Sequence, residues 1–507
     1  MDVQHAERTP LPPVHSEKAS AEDIMCIVAE VNTGNDTDVV IVGFQNGAAE
    51  DPQEWSRAYR WSLTTVMGIL GFASTFALPA PVGFAAQLLA ELELNDELLA
   101  LTISLFVIGT CVGTWIWSPL SEHHGRRSIY IYSLAVFTCI QVGAALSQNA
   151  ASLECLRLLS GIFIAAAYSN GSTVMADIWD AETREKVVVV SSITSFIGTS
   201  FAPLIGGYMA QGGVHWTWIF WLLAIVGGLF TLIFIFAVPE TYPPAILRKK
   251  AVRLRERTGD VRYRAPVELE PERSLLATIT YILAKPFIIC VREPMLIAVN
   301  IYLGFISGCS YMLFEVYPII FQGGYHFTSG QVGLVYLPPM VGELAGLAIY
   351  VYVVRKRYLD RAKKGASAAE PESPEAGLTL ALWGGPIFAA SFFWLGWTSS
   401  PSISLWVPLL SGFFIGLSLL WLMLAFVNYI IAVYLPVVAS ALASSLVIRS
   451  IFGAIFPLFS NQMFDVLSPR WASTLVGCVA LMLVPVPFVL RRYGPALRAR
   501  SRYIQPA

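Results

Sequence analysis

Long apolar stretches that alternate with short polar loops dominate the pattern of this chain. Each stretch holds about 20 residues, enough for a helix to cross a hydrocarbon core about 30 Å thick. Lipid offers the backbone no hydrogen-bond partner, so such stretches must be helical. The pattern predicts six spans, a gap of about 55 residues and six more spans: 61–84, 98–117, 128–146, 155–175, 187–209, 216–238, 295–321, 332–354, 378–398, 405–431, 435–459 and 471–490.

The placement of lysine and arginine supports an even number of spans, because basic residues collect on the cytosolic side. Basic clusters occur at 248–292, 355–364 and 491–502. Twelve spans that follow a cytosolic N-terminus put all three clusters on one side, and Arg470 alone falls on the other side. We therefore predict a multi-pass membrane protein with both termini in the cytosol.

The composition agrees with a surface that is covered by lipid. Hydrophobic residues make up 55% of the 507 residues and charged residues 13%, whereas soluble domains carry about 25% charged residues. The net charge of −2 gives no indication of a nucleic-acid partner. The seven cysteines show neither CxxC spacing nor a cluster with histidine, so we predict no disulfide framework, metal site or cofactor.

The spans and charges divide the chain into five parts. We predict a disordered cytosolic tail over 1–57, a six-helix half over 58–240, a basic cytosolic linker over 241–292, a second six-helix half over 293–491 and a cytosolic tail over 492–507. The basic stretch of the linker predicts either an amphipathic helix on the inner leaflet or a solvated charged helix. The expected fold is thus all-α, with twelve transmembrane helices in two halves.

A charged loop lies between the second and third spans. It carries Glu122, then Gly125, Arg126 and Arg127. The two arginines can bind Glu122, the carbonyls at a helix C-terminus or an acid on a neighbouring helix, and Asp177 is the nearest such acid by sequence. This network can lock one conformation and release it on protonation, although an ordinary inner-loop charge cluster is the alternative.

Two further patterns lie inside the fourth and fifth spans. Arg157 stands in an apolar run, so it should face the bundle interior or a cavity. The fifth span combines Gly198, Gly206 and Gly207 with Pro203. Small residues allow close contact between helices and proline bends a helix, which suits a helix that changes its packing between states. Close packing without motion is the alternative.

In this order and on these spans, the three patterns resemble the signature loop, the span-four RxxxG and the span-five antiporter motif of the major facilitator superfamily. Further segments resemble its fungal twelve-span drug:proton antiporter group, and the resemblance covers about residues 50–495. It implies a proton-coupled exporter in which two six-helix halves move around a central cavity. The segments are 51–55, 176–179, 239–242, 247–259, 315–318, 428–431, 449–459 and 471–475.

This chain departs from the pattern of that group at several positions. Ser118 and Glu122 stand where the family's loop has glycine and aspartate, and Ala202 replaces the second glycine of the antiporter motif. Gly377 and Ala432 stand where the group commonly has arginine and aspartate. The loss of the aspartate removes one group that could titrate, which suggests a divergent member.

The candidates for proton coupling are the ionisable residues inside the spans. Glu343 lies about 17 Å into the eighth span, near mid-membrane, and is the first choice as proton carrier. A satisfied structural carboxylate is the alternative. Glu315 lies near the outer face and suits a gate or packing role, and Arg157 completes the set with Arg449. Arg449 either pairs with Glu343 or binds an anionic substrate.

We expect the substrate cavity at the midplane between the two halves. Aromatic walls suit amphipathic or flat organic compounds, whereas many aromatic residues in spans instead face lipid or pack between helices. The predicted lining residues are Phe72, Phe76, Tyr168, Asn170, Tyr311, Trp421 and Asn428.

The leading functional hypothesis is a secondary active transporter of the plasma membrane that works as a monomer. It would couple efflux of a drug, toxin or secondary metabolite to protons by alternating access. An uptake symporter or facilitator on the same fold is the first alternative, and a membrane sensor that transports nothing is the second. An enzyme is not expected, since the sequence shows neither a metal cluster nor a nucleophile–base set. Nucleotide-driven export is not expected either, because the sequence has no phosphate-binding loop.

Overall fold

The computed structural model describes residues 27–31, 39–44, 50–269, 287–363 and 374–499. Parts of the predicted N-terminal tail, linker and C-terminal tail lie outside these ranges. The described residues are mostly helical, as expected for an all-α membrane protein.

The first half of the chain consists of helices joined by short turns. Several helices begin after a short polar residue whose side chain accepts a hydrogen bond from the backbone N–H three residues later. This hydrogen bond caps the N-terminus of the helix. Asn95, Asn149 and Asp180 are such caps. The helices are α1 (Arg57–Phe76), α2 (Ala85–Glu91), α3 (Asp96–His124), α4 (Arg126–Ala145), α5 (Ala150–Ile178), α6 (Ala181–Gln211) and α7 (Thr217–Phe236), with a 3-10 turn at Ala80–Phe84.

A helix of the linker, α8, precedes the second half. Short 3-10 turns precede two of the long helices, and a π-helical turn follows α9. The helices are α8 (Pro243–Thr258), α9 (Pro294–Tyr317), α10 (Ser329–Leu334), α11 (Leu337–Lys363), α12 (Thr379–Thr398), α13 (Trp406–Val433), α14 (Val438–Leu483) and α15 (Pro485–Arg498), and the turns are Pro318–Gly324, Pro374–Leu378 and Leu435–Val437.

Helix α14 contains two helices that meet at a break. Its 46 residues would extend about 69 Å, about twice the thickness of a bilayer core. At Ser468, just before Pro469, the backbone leaves the helical region with φ 61°. Within the described residues, nine helices are long and apolar enough to cross a membrane, or ten if the bent α1–α2 pair counts as one span. Twelve crossings therefore stay a prediction.

The two halves repeat the same helix pairings. In the first half, α3 packs on α5, α1 on α6 and α4 on α7. In the second half, α11 packs on α13, α9 on the first part of α14, and α12 on the part of α14 that follows Ser468. The order of the partners along the chain is the same in both halves, which agrees with a repeated six-helix unit.

A small β-sheet joins the N-terminal segment to the linker. β1 (Ile27–Val31) pairs antiparallel with β2 (Val39–Val42), and β2 pairs parallel with β3 (Tyr263–Arg264). The sequence predicts a disordered tail over 1–57, whereas the structure has strands β1 and β2 within that range. The reason is that the β-branched run of β2 finds a partner in the linker, far away along the chain.

Helix α8 turns its apolar side towards this sheet. Ala251 and Leu254 are buried against Val42 and Tyr263, while Arg253 on the other side is exposed. The apolar side of α8 is therefore already covered by protein, and this helix does not present it to the inner leaflet. Of the two alternatives for the linker, the solvated charged helix fits this arrangement better.

The loops lie on two faces of the molecule. The basic face holds the α3–α4 loop, α8, the C-terminal end of α11 and α15, and there the Tyr59 hydroxyl donates to the carbonyl of Ala237 at 3.3 Å. The acidic face holds α2 and the α6–α7 loop. There Trp216 Nε1 donates to Glu91 Oε2 at 2.8 Å.

The two halves touch each other at the acidic face. Thr328 Oγ1 donates to Gln211 Oε1 at 2.9 Å, and Gln462 Nε2 donates to Glu97 Oε1 at 2.5 Å. Helices α6 and α10 approach so closely here that a Cβ on Gly333 would lie 2.7 Å from the Cα of Leu204. Glycine on α10 thus allows the contact that closes this face.

We predict that Gly333→Ala weakens the closure of the acidic face, because its Cβ collides with the backbone of α6 and no flexible side chain can move away. The measurement is the yield of a disulfide between Gln211→Cys and Thr328→Cys in a chain without its natural cysteines. We expect a yield several-fold below that of the parent. Gly323→Ala is the control, because its Cβ meets nothing within 4 Å, and equal yields for both variants would contradict the prediction.

Candidate functional site

A cavity of about 440 Å³ lies between the two halves. Helices α1, α3, α5 and α6 line it from the first half, and α9, α11, α13 and α14 line it from the second half. On α1 the lining residues Met67, Gly71, Ser74 and Thr75 follow each other at helical spacing, and Leu78 continues the row just after the helix. One stripe of α1 therefore faces the cavity along the second half of the helix.

The cavity wall that α9 provides carries both small hydroxyls and aromatic rings. Ser307 and Ser310 line the cavity together with Tyr311, Phe314 and Tyr317. The serines can form hydrogen bonds with a bound molecule and the rings offer flat apolar surface. Such a wall suits an amphipathic compound of drug-like size.

The cavity contains one carboxyl group and one guanidinium group. Among its described lining residues, Glu343 on α11 is the one acidic residue and Arg449 on α14 the one basic residue. Arg449 Nε donates to Ser307 Oγ at 3.2 Å. Between side chains that the structure describes, no ion pair within 4 Å involves either group. The sequence leaves open whether Arg449 pairs with Glu343 or binds an anionic substrate. The ion pair with Glu343 is thus not formed in this state.

Arg157 is fully buried but lies away from the cavity wall. Its Nη1 donates to the carbonyl of Ala77 at 2.9 Å, Nη2 to Leu78 at 2.5 Å and Nε to Thr102 at 3.1 Å. The guanidinium also lies 4.3 Å from the ring centroid of Phe106. The first two carbonyls belong to the break after α1, where the helix cannot satisfy them itself. These contacts favour a structural role and give no support to the predicted role in coupling.

Glu315 is buried within the second half. Its side chain accepts a hydrogen bond from Asn461 Nδ2 at 3.3 Å, which links α9 to α14. It is not among the described residues that line the cavity. This placement agrees with the gate or packing role better than with a proton carrier.

Of the five aromatic residues predicted to line the cavity, two line it, and Phe72, Phe76 and Trp421 do not. Tyr168 and Tyr311 belong to the wall. Phe72 and Phe76 instead stack on each other with ring centroids 5.9 Å apart, and Phe72 also contacts Phe201 on α6. They share the side of α1 that packs against α6, so the prediction that they line the cavity is not supported by their placement.

The remaining predicted lining residues form contacts elsewhere. Trp421 Nε1 donates to the carbonyl of Gly346 at 2.9 Å, which ties α13 to α11. Asn428 Nδ2 donates to the Tyr350 hydroxyl at 2.7 Å. Neither is among the described lining residues. The side chain of Asn170 lies outside the described part of the structure.

On the basic face, Glu240 caps the start of α4. Its Oε1 accepts from the backbone N–H of Arg126 at 2.8 Å and its Oε2 from that of Arg127 at 3.3 Å. Gly125 has φ 89°, and a Cβ there would collide with the same carboxylate. Glu122 is exposed and forms no ion pair within 4 Å with a side chain that the structure describes. The acid that binds the backbone of the arginine loop is therefore Glu240, not Glu122.

The side chains of the two arginines bind different partners. Arg126 Nε lies 3.3 Å from Asp177 Oδ2, the contact that the sequence suggests. Arg127 donates to the carbonyls of Phe234 at 3.2 Å and Ile235 at 2.5 Å, at the C-terminal end of α7. The loop therefore joins α4, α5 and α7. Its role as a conformational switch stays a prediction.

The predicted flexible segment of α6 lies between the two halves. A Cβ on Gly198 would meet α1, a Cβ on Gly206 the turn that follows α1, and a Cβ on Gly207 the carbonyl of Ser329 in α10. Pro203 lies inside the helix among them. The segment thus packs on the first half through Gly198 and Gly206 and on the second half through Gly207. Its role as a flexible part of a conformational switch stays a prediction.

The second half has an ion pair at the place that corresponds to Glu240. Glu375 is buried at the start of α12, and its Oε1 lies 3.0 Å from Arg498 Nη2 of α15. Arg357 at the end of α11 donates to the carbonyl of Ala376 at 2.7 Å. In the first half Glu240, which follows α7, thus contacts the start of α4. In the second half Arg498, which follows α14, contacts the turn that precedes α12.

Comparisons with known proteins agree with this architecture. A sequence profile of the Major Facilitator Superfamily matches residues 61–429. The chain belongs to the Major Facilitator Superfamily. It is therefore a membrane transporter of small molecules rather than an enzyme. The solved structure of the proton:xylose symporter XylE bound to 6-bromo-6-deoxy-D-glucose superimposes with a TM-score of 0.59 at 16% identity, and the match covers 87% of this chain and 96% of that one.

Among superfamily members, fungal transporters match along most of the chain. Efflux pump FUB11 of Gibberella moniliformis is 32% identical over 466 residues, which cover 92% of this chain and 78% of the relative. The multidrug transporter mdrA of Aspergillus fumigatus is 34% identical over 473 residues, 93% and 77% of the two chains. A transporter of the ascochitine biosynthesis cluster of Didymella fabae is 32% identical over 456 residues, 90% and 87%.

We predict that Glu240→Gln destabilises this transporter, because the amide lacks the negative charge that favours the N-terminus of α4. The expected loss is about 1 kcal/mol, seen as a lower midpoint of thermal unfolding for the purified protein in detergent. Glu122→Gln removes a carboxylate of the same loop that makes no ion pair with the described side chains, and it should unfold with the parent. The prediction fails if the two variants are equally stable.

Proposed function

We propose that this transporter exports a small organic compound in exchange for protons, by alternating access. The relatives named as efflux pumps and multidrug transporters support export as the direction. We place the protein in the plasma membrane, with its basic face and both termini in the cytosol, because basic loops are retained on that side. It acts as a monomer, since one chain supplies both walls of the cavity.

The proton-coupling part of the proposal rests on the position of Glu343. Its carboxyl faces the cavity and has no cation within 4 Å among the described side chains. An ionisable residue at membrane depth is costly, so it marks a functional site by default. A proton taken up from the outer side would neutralise it, and release of that proton into the cytosol would restore the charge for the next cycle.

The contacts at the acidic face support a state that opens towards the cytosol. There, α6 and α10 close over the cavity through Gly333 and the hydrogen bond between Thr328 and Gln211. In the proposed cycle, the compound enters from the basic face, these contacts separate, and the compound leaves on the other side. Proton loading of Glu343 accompanies the return to the state described here.

We predict that Glu343→Gln abolishes the pH dependence of export, because the amide occupies the same volume and cannot carry a proton. The measurement is the loss of Nile red, a neutral dye, from yeast cells whose own exporters have been deleted. Cells with the parent should lose the dye faster in acid medium than in neutral medium. Cells with Glu343→Gln should lose it slowly in both media.

Glu315→Gln is the matched control, since it alters a buried carboxyl that does not line the cavity. It should keep the response to external acid. Surface expression of all variants is compared by a tag on the protein. An unchanged pH response in Glu343→Gln would refute its role, whereas faster accumulation of the dye in acid medium would favour uptake over export.

A further inference from the structure

Arg449 presents most of its hydrogen-bonding capacity to the cavity. Ser307 occupies its Nε, and neither Nη1 nor Nη2 donates a hydrogen bond to any residue that the structure describes. An arginine at membrane depth is costly and is retained only where it has a function or a partner. A cation that has one serine hydroxyl and no acidic side chain as its described partners indicates an anion that arrives with the substrate.

The comparison with Arg157 shows that this chain can satisfy a buried guanidinium when the role is structural. All three nitrogens of Arg157 donate to backbone carbonyls, and no bound molecule can reach it since it is fully buried. Arg449 donates to no carbonyl of the described residues, has the Ser307 hydroxyl as its one partner there, and is partly exposed to the cavity. The two arginines therefore differ in their hydrogen-bond partners and in their exposure to the cavity.

The shape of the free guanidinium edge of Arg449 indicates which kind of anion can bind there. A guanidinium whose Nε is held by Ser307 keeps the edge formed by its two Nη atoms, and this planar fork matches the two oxygens of a carboxylate. The hydrogen bond from Nε also fixes the plane of the fork. Ser450, next to Arg449 on the cavity wall, supplies a hydroxyl beside it.

The wall around Arg449 is flat and apolar. The ring of Tyr311 packs against Gly453, one turn after Arg449, so closely that a Cβ there would lie 2.6 Å from the ring. Tyr168 and Phe314 also belong to the wall. A planar apolar group attached to a carboxylate would therefore find an aromatic surface next to the cation.

We propose that the exported compound is an amphipathic organic acid whose carboxylate binds the free edge of Arg449. This inference rests on the export function proposed above and names the substrate class of the same cavity. Glu343 fixes the orientation of the bound acid, because two carboxylates repel each other. The acid group therefore lies at α14, and a hydrogen-bond donor of the compound suits the side that faces α11.

The test compares two probes of nearly equal shape, 2-naphthoate and the neutral 2-naphthamide. Their binding to the purified full-length protein in detergent is measured by calorimetry, at a pH where the acid is ionised. Hydrogen bonds to a charged group are about twice as strong as neutral ones, so we expect the parent to bind the acid about tenfold or more tightly than the amide.

Variants then test whether Arg449 is responsible for the tighter binding of the acid. Arg449→Gln should bind acid and amide equally, with the amide affinity close to that of the parent. Arg449→Lys keeps the charge without the fork and should retain only part of the preference. Ser307→Ala should weaken acid binding by a smaller factor, since it frees the guanidinium to rotate.

The outcomes separate this inference from the export proposal. A parent that binds the amide as well as the acid, or that binds no acid, overturns the inference without any variant, even if Nile red is still exported. An acid preference that survives in Arg449→Gln, with the variant folded as judged by its thermal unfolding, also overturns it. Acid binding by a protein that exports neither Nile red nor 2-naphthoate would contradict the export proposal and leave the carboxylate site in place.

Discussion

The lipid around this transporter supplies no hydrogen-bond partners, and this constraint organises the whole structure. Every polar group at membrane depth must be satisfied by the protein itself or must face a cavity. Arg157 follows the first course and binds the carbonyls that the end of α1 leaves open. Glu343 and Arg449 follow the second course and face the space between the halves. The two arginines thus illustrate the two ways in which this chain accommodates a cation inside its helices.

The contacts on the two faces differ in which parts of the molecule they join. On the basic face, Glu240 in the first half and the Glu375–Arg498 pair in the second half each hold the third helix of their half. On the acidic face, glycine contacts join α6 to α10 across the halves. Strong bonds within each half and close contact without bulky side chains between the halves suit two bodies that rock against each other.

The sequence predicts the helices well and their rotation poorly. Hydropathy and basic loops locate the spans, because the bilayer fixes their length and the charges fix their orientation. Most spans are apolar on every side, however, so the pattern cannot show which side faces the cavity. Phe72 and Trp421 therefore point to other helices, whereas the small hydroxyls of Ser307 and Ser450 line the cavity without an obvious signal.

Long-range pairings are the second part that the sequence does not reveal. Glu240 lies more than a hundred residues after the loop that it caps, and its segment is distinctive only through the family resemblance. The sheet on the basic face likewise joins strands β2 and β3 from opposite ends of the first half. Patterns within one window cannot indicate such partners, since neither segment is unusual by itself.

The central claim is that α9 and α14 turn a polar stripe towards a water-filled cavity that is closed at the acidic face. The direct measurement is labelling of Ser307→Cys by a membrane-impermeant thiol reagent, in a chain without its natural cysteines and with Phe72→Cys as comparison. We predict that the reagent modifies Ser307→Cys rapidly from the basic face and slowly from the acidic face, and that Phe72→Cys resists it from both faces. Equal labelling of both positions, or labelling of Ser307→Cys from the acidic face alone, would contradict the account.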